Sequence, residues 1–196
     1  LLPFLLLPPE LTKGAPPPVV PALERLLSRS VPSRSVLRHE QSPIFERFGL
    51  QAPYPHAPMM ALANGLPTQK NAWMFAEPVH LVAGLDGMAL FPSDYLEVVP
   101  DEADGLTTAL NAHFTADGIL FHVSAGGRWY VQHPAGETPV THGVEAARAG
   151  MAAKLLPTSS GRLNWSSIQN EAQMVLYHHP VNAAREAAGK PTINGI

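Results

Sequence analysis

The chain reads as a mixed α/β protein. Its centre is a β-hairpin, an amphipathic helix and a second β-hairpin, followed by further helices. Three observations predict this. Two apolar runs, 79–83 and 88–91, flank the pair Asp86-Gly87, and both turn positions tolerate φ > 0. Ala103, Leu106, Leu110 and Phe114 recur at helical spacing after Pro100-Asp101-Glu102. That opening sets a proline and negative charge in the first helical turn. A second pair of extended runs, 119–124 and 128–132, is joined by Ala125-Gly126-Gly127.

The other elements come in order. Leu1-Leu2-Pro3-Phe4-Leu5-Leu6-Leu7-Pro8 is apolar, lacks a basic lead and is broken by Pro3. It is too short to cross a bilayer and reads as a buried strand, not a signal peptide. Six prolines between positions 8 and 21 predict loop or polyproline II. A helix is expected over 22–29, with Leu23, Leu26 and Leu27 on one face. Another is expected over 43–48, opened by Pro43 and closed by Gly49. Residues 51–71 read as irregular, with a short helix near 59–63. Asp117-Gly118 ends the central helix. An amphipathic helix starts near Asn164, with Ser166 and Gln169 at capping-box spacing and Ile168, Ala172, Val175 and Leu176 facing inward. Pro180 breaks it, and a short helix over 181–188 closes on Gly189.

Composition narrows the function classes. The chain has 196 residues, 45% of them hydrophobic and only 15% charged, with a net charge of −3. Globular chains carry about a quarter charged residues, so the shortfall points either to a surface that buries itself against a partner or to a fragment of something larger. No basic run offers a footprint for nucleic acid or anionic lipid. Cysteine is absent, which removes disulfides, thiol catalysis and Cys-ligated zinc. The cytoplasm is the expected compartment.

The stretch His179-Pro180-Val181-Asn182-Ala183-Ala184-Arg185, continued by Gly189-Lys190-Pro191-Thr192-Ile193-Asn194, resembles a segment of the archaeal-type cofactor-independent phosphoglycerate mutases. It is similar also to their proteobacterial phosphoglycerate-mutase-like relatives, the RpfE-type regulatory proteins. The resemblance covers roughly residues 75–194. It implies a partial alkaline-phosphatase-like core carrying an inserted hairpin-helix-hairpin α+β domain. The expected division is 1–74 as N-terminal core, 75–163 as insert and 164–196 as helices returning to the core. In the relatives a Trp- and Gly-rich strand comes after this segment, whereas the sequence stops at Ile196, so a truncated chain is expected.

The mutases need two divalent metals and a serine that carries the phosphoryl group, because metals neutralise charge on the phosphoryl oxygens. Their first metal ligand is an Asp just after the N-terminal strand; here that place reads Leu7-Pro8-Pro9-Glu10. Their serine lies in a Pro-Gly-Ser-Asp turn; here the counterpart is Glu40-Gln41-Ser42-Pro43. All five Asp residues lie between 86 and 117, without the Asp-x-His spacing of a metal loop. No catalytic residue, resident metal or other cofactor is therefore expected. The competing expectation is a phosphoryl-transfer enzyme, dependent on manganese or zinc and completed by residues after Ile196.

Candidate ligand-binding residues are Arg128, Asn182, Arg185, Lys190 and Asn194. Gly126-Gly127-Arg128 reads either as a hairpin turn with an exposed Arg or as an anion-binding nest. The mutases place a Tyr-Arg pair in a similar hairpin; here the order is Arg128-Trp129-Tyr130. Asn182 and Arg185 are neighbours on a helix. They either brace the junction by bonding backbone carbonyls or contact a ligand. Of the nine histidines, His80, His122 and His133 lie on or beside predicted strands, so a meeting across a sheet is one reading. A structural or surface role is the other, since zinc-site spacing is missing. Adjacent His178 and His179 diverge on a helix. Ser42 has no nucleophile elbow around it. Trp73, Trp129 and Trp165 read as core or interface anchors. The expectation is a non-catalytic regulatory protein that meets a protein partner, a second copy of itself or a small anionic ligand.

Overall fold

A computed structural model of the chain describes residues 54–68, 71–84, 87–136 and 162–196, with isolated positions elsewhere. The expected N-terminal strand, the helices over 22–29 and 43–48, the Leu7–Glu10 region and Ser42 lie outside the continuously described residues. By contacts the chain divides into two compact units, Leu1–Glu40 and Gln41–Ile196. The second unit holds all of the continuously described segments. The expected boundary at 74/75 falls inside a strand of that unit.

Among the described residues the order is α1 (His56–Ala63), β1 (Ala72–Phe75), β2 (His80–Gly84), β3 (Gly87–Phe91), α2 (Ser93–Leu96), α3 (Pro100–Phe114), β4 (Leu120–Val123), β5 (Trp129–His133), α4 (Trp165–Tyr177) and α5 (Pro180–Ala187). The protein is thus a mixture of helix and strand. None of the described helices is long and apolar enough to cross a membrane.

The two expected hairpins form and belong to separate sheets. β4 and β5 pair antiparallel, and β1 adds to the far side of β5, giving the order β1-β5-β4. β2 and β3 form a two-stranded ribbon. Its register pairs Gly84 with Gly87, so Gly87 is a strand residue, while Asp86 of the expected turn lies outside the described residues.

The central strand β5 is covered on both sides, as a middle strand between two layers must be. Trp129 and Val131 face a core with Phe121, Leu106, Leu110, Phe114, Ala172, Leu176 and Ile193, all buried. α3 and α4 supply that layer, their apolar stripes set by the spacing of Leu106, Leu110 and Phe114 and of Ala172 and Leu176. Each fully buried Leu or Phe contributes about 1.5–3 kcal/mol. Tyr130 faces the opposite way, with Trp73 and Phe75, against Ala57 and Ala61 of α1. The Tyr130 hydroxyl accepts from the Asn64 amide at 3.1 Å. All three tryptophans are buried, at 3–4% exposure.

Local chemistry sets the element ends. Glu102, at the third position of α3, accepts from the Val99 backbone N–H at 3.2 Å, half of a capping box. Gly118 takes φ 74° beyond a 3₁₀ turn over Thr115–Asp117. α4 is capped by Asn164, whose Oδ1 accepts from the Ser167 N–H at 3.2 Å. The expected cap at Ser166 is corrected to Asn164, because Ser166 is already inside the helix.

Candidate functional site

The resemblance segment builds its own geometry. Pro180 is the first residue of α5 and His179 its cap, with Nδ1 accepting from the Val181 N–H at 3.2 Å. α5 ends on Gly189 at φ 69°. There Lys190 N–H donates to Arg185 O at 2.8 Å and Gly189 N–H to Glu186 O at 2.9 Å. This double closure is a Schellman turn, which needs a left-handed residue at its corner. It folds the chain back, so Pro191, Thr192 and Ile193 run beside the helix they have just left.

Arg185 occupies the angle so formed. It is 1% exposed. Its Nε donates to Pro191 O at 2.7 Å, Nη2 to Leu96 O at 2.6 Å and Nη1 to the Glu102 carboxylate at 2.7 Å. The planar fork thereby ties α5, the C-terminal segment, the end of α2 and the start of α3. The Glu102 oxygen that accepts from Arg185 also caps α3. Leu96, whose carbonyl Arg185 holds, precedes Glu97, which stands at φ 48°. A left-handed non-glycine residue costs roughly 1–2 kcal/mol, and the buried guanidinium holds the turn in that shape.

Three asparagines repeat one device. Asn182, buried, accepts from Ile193 N–H at 2.7 Å and donates to Ile193 O at 2.8 Å and Leu176 O at 2.7 Å. Asn194 accepts from Leu81 N–H at 2.6 Å and donates to Leu81 O at 2.9 Å. Asn111 of α3 accepts from Phe121 N–H at 2.6 Å and donates to Phe121 O at 3.0 Å. In each case a side-chain amide imitates a neighbouring strand and satisfies both backbone groups of one residue. Asn194 works with backbone pairing between Gly195 and Val79, and His80 Nδ1 lies 2.8 Å from Thr192 O. Close approach needs glycine there: a Cβ on Gly195 would stand 2.9 Å from Val79 Cγ2.

The five candidate ligand residues therefore fall into two sets. Asn182, Arg185 and Asn194 gather at the junction and hold backbone. Lys190 and Arg128 are exposed. Arg128 lies with its guanidinium carbon 5.3 Å from the centre of the Phe75 ring. In the β4–β5 turn Gly127 N–H already donates to Ser124 O at 2.8 Å and Arg128 N–H to Ser124 Oγ at 3.2 Å. Those amides close a hairpin turn and do not converge on an anion, so Arg128 could meet a ligand only through its side chain. Sequence reasoning missed Asn111, Glu102 and β1. The signals were faint: an Asn inside a helix, a cap glutamate that doubles as an ion pair, and a four-residue strand beside Trp73.

The histidine meeting does not occur. His80 lies on the β2–β3 ribbon, while His122 packs at 5.0 Å on Trp73 and His133 is buried at 5.2 Å from the Trp165 ring. Asp94, Asp101, Asp104 and Asp117 are exposed, and among the described residues no three His, Asp or Glu side chains group as metal donors. A surface cleft of about 200 Å³ lies between Phe114, Asp117, Arg162, Asn164, Ser167 and Glu171. On its rim His113 Nε2 is 2.9 Å from the Glu171 carboxylate. The cleft mixes one arginine with two carboxylates, so its charge selects no ligand class.

No protein-family model, no curated protein and no solved structure matches this chain.

Proposed function

We propose that this chain is a non-catalytic relative of the phosphoglycerate mutases, acting as a regulatory protein that binds a partner or a small anionic ligand. The observation that supports it is the commitment of Arg185. Three of its five N–H donors, one on each nitrogen, are held by the chain's own carbonyls and carboxylate, and at 1% exposure the side chain is closed off from a ligand in solution. Asn182 and Asn194 are committed in the same way. The sequence adds to this, since neither Leu7-Pro8-Pro9-Glu10 nor Glu40-Gln41-Ser42-Pro43 carries the mutases' metal ligand or phosphoryl carrier. Ligand contact on this reading falls to the exposed cations, Arg128 and Lys190.

The test is metal analysis together with a phosphoglycerate mutase assay on the 196-residue chain and on any longer natural form. The reading predicts no turnover with manganese or zinc supplied. It predicts also that charge-removing Arg128→Gln weakens binding of phosphoglycerate, followed by calorimetry, without changing the unfolding midpoint. Turnover with stoichiometric bound metal would replace this reading with the metal-dependent phosphoryl-transfer enzyme.

A further inference from the structure

We propose that Asn64-Gly65 is a self-modification site, where the chain converts its own Asn64 amide to a carboxylate and so loosens α1 from the sheet. This goes beyond the functional reading and does not depend on it. Two Asn-Gly pairs occur in the sequence, at 64–65 and 194–195. Asparagine is a thermolabile residue. Glycine after it matters because a backbone nitrogen with no Cβ beside it can approach the side-chain amide carbon. The two pairs share one local chemistry, and the fold decides which of them reacts.

The step balances with water as the co-reactant. The Gly65 backbone nitrogen attacks Asn64 Cγ, and the new N–C bond closes a succinimide ring. The Cγ–Nδ2 bond breaks, and Nδ2 leaves as ammonia with the proton that the Gly65 nitrogen gives up. Water then opens the ring at either carbonyl. The product at position 64 is aspartate or isoaspartate.

The first pair is placed to react. Both of its residues are exposed, and a Cβ built on Gly65 would meet nothing within 4 Å. Gly65 N–H donates to Leu62 O at 2.9 Å, a bond within the last turn of α1. Asn64 Nδ2 donates to Met60 O at 2.7 Å and to the Tyr130 hydroxyl at 3.1 Å. Helix ends fray, so opening one turn frees both the attacking nitrogen and the amide. The second pair is held from far along the chain. The Asn194 side chain bonds both backbone groups of Leu81. Gly195 is buried, and its N–H donates to Val79 O at 3.2 Å. Freeing it means taking β2 off the C-terminal segment.

The products disturb what Asn64 holds. A carboxylate oxygen in place of Nδ2 faces the Met60 carbonyl as a second acceptor. The new negative charge also stands at the C-terminus of α1, where the helix dipole disfavours it. Isoaspartate adds a methylene to the main chain just before Leu66. Leu66 N–H closes on Ala61 O at 3.0 Å, and its side chain packs against the cluster of Ala57, Ala61, Trp73 and Tyr130.

Peptide mapping by mass spectrometry of the 196-residue chain, aged in mildly alkaline buffer, tests this. Each pair is followed in the folded chain and in urea. Folding is expected to slow ammonia loss at Asn194 at least about tenfold more than at Asn64, since a junction opens more rarely than a frayed turn. Isoaspartate is expected to accumulate at position 64 of the folded chain. Asn64→Asp carries the charge of the product without ageing. It is expected to speed amide exchange at Leu66 at least about tenfold. Should that variant fail to fold, exchange at Leu66 in the aged native chain reads the same loosening. Folding that protects Asn64 as fully as Asn194 overturns the proposal. An Asn64 that keeps its amide throughout also overturns it, as does unchanged exchange at Leu66 once the carboxylate is in place.

Discussion

Asn182 and Glu97 show how much of this structure rests on single side chains. Asn182 makes three hydrogen bonds from a buried position. Asn182→Ala would leave the Ile193 N–H and C=O without partners and out of water, while the Leu176 carbonyl keeps the His179 N–H at 3.1 Å. A group so stranded costs roughly 1–3 kcal/mol, so a loss of about 2–3 kcal/mol is expected. Urea unfolding reads it as a lower midpoint at unchanged slope. Glu97 makes the opposite prediction. Its φ of 48° is unfavourable for a residue with a Cβ, whereas glycine adopts it freely but gives the unfolded chain more freedom. The two effects partly cancel, so Glu97→Gly is expected to raise stability by about 0.5 kcal/mol. A fall in the midpoint would show that the Glu97 side chain contributes more than its exposed position implies.

At the scale of elements, strand edges are the recurring concern. A three-stranded sheet and a two-stranded ribbon have more edge than interior. The chain uses asparagine amides to close some of it. Asn111→Ala opens β4 at Phe121. The Phe121 amide is expected to exchange at least about tenfold faster, a local change near 1.4 kcal/mol, while exchange in α4 stays as before. Equal exchange in variant and native chains would show that the Asn111 bonds contribute nothing. Elements whose signals are local were legible in the sequence. Pro100-Asp101-Glu102, Asp117-Gly118, Pro180 and Gly189 mark helix ends by backbone chemistry that needs no tertiary partner. β1 was not legible, because four residues give too short a run for alternation to register and its strand character comes from pairing with β5. Gly87 reads as half of a good local turn pair with Asp86, yet it joins the ladder opposite Gly84, because strand pairing overrides the local turn signal. The cap at Ser166 yielded to Asn164 for a similar reason: two cap-competent residues stood close together, and the burial of Trp165 fixed which one began the helix.

At the scale of the whole unit, one junction joins what the sequence keeps far apart. Arg185 reaches back to Leu96 and Glu102, and Asn194 reaches Leu81. Such contacts have no local signature. The pairing of Asn182 with Arg185 on one helix face was legible in the sequence. Which carbonyls they would hold was not, because the partners depend on the Schellman turn at Gly189 and on the packing of α3. The junction's polar residues hold the fold together. Equilibrium denaturant unfolding of Arg185→Met beside the native chain puts that statement at risk. The guanidinium is replaced by an apolar group of similar reach, leaving the Leu96 and Pro191 carbonyls without this donor and the Glu102 carboxylate without its cation, with the Val99 N–H still on it. A loss of about 3 kcal/mol or more is expected. An unchanged midpoint would mean that the buried guanidinium does not hold the junction.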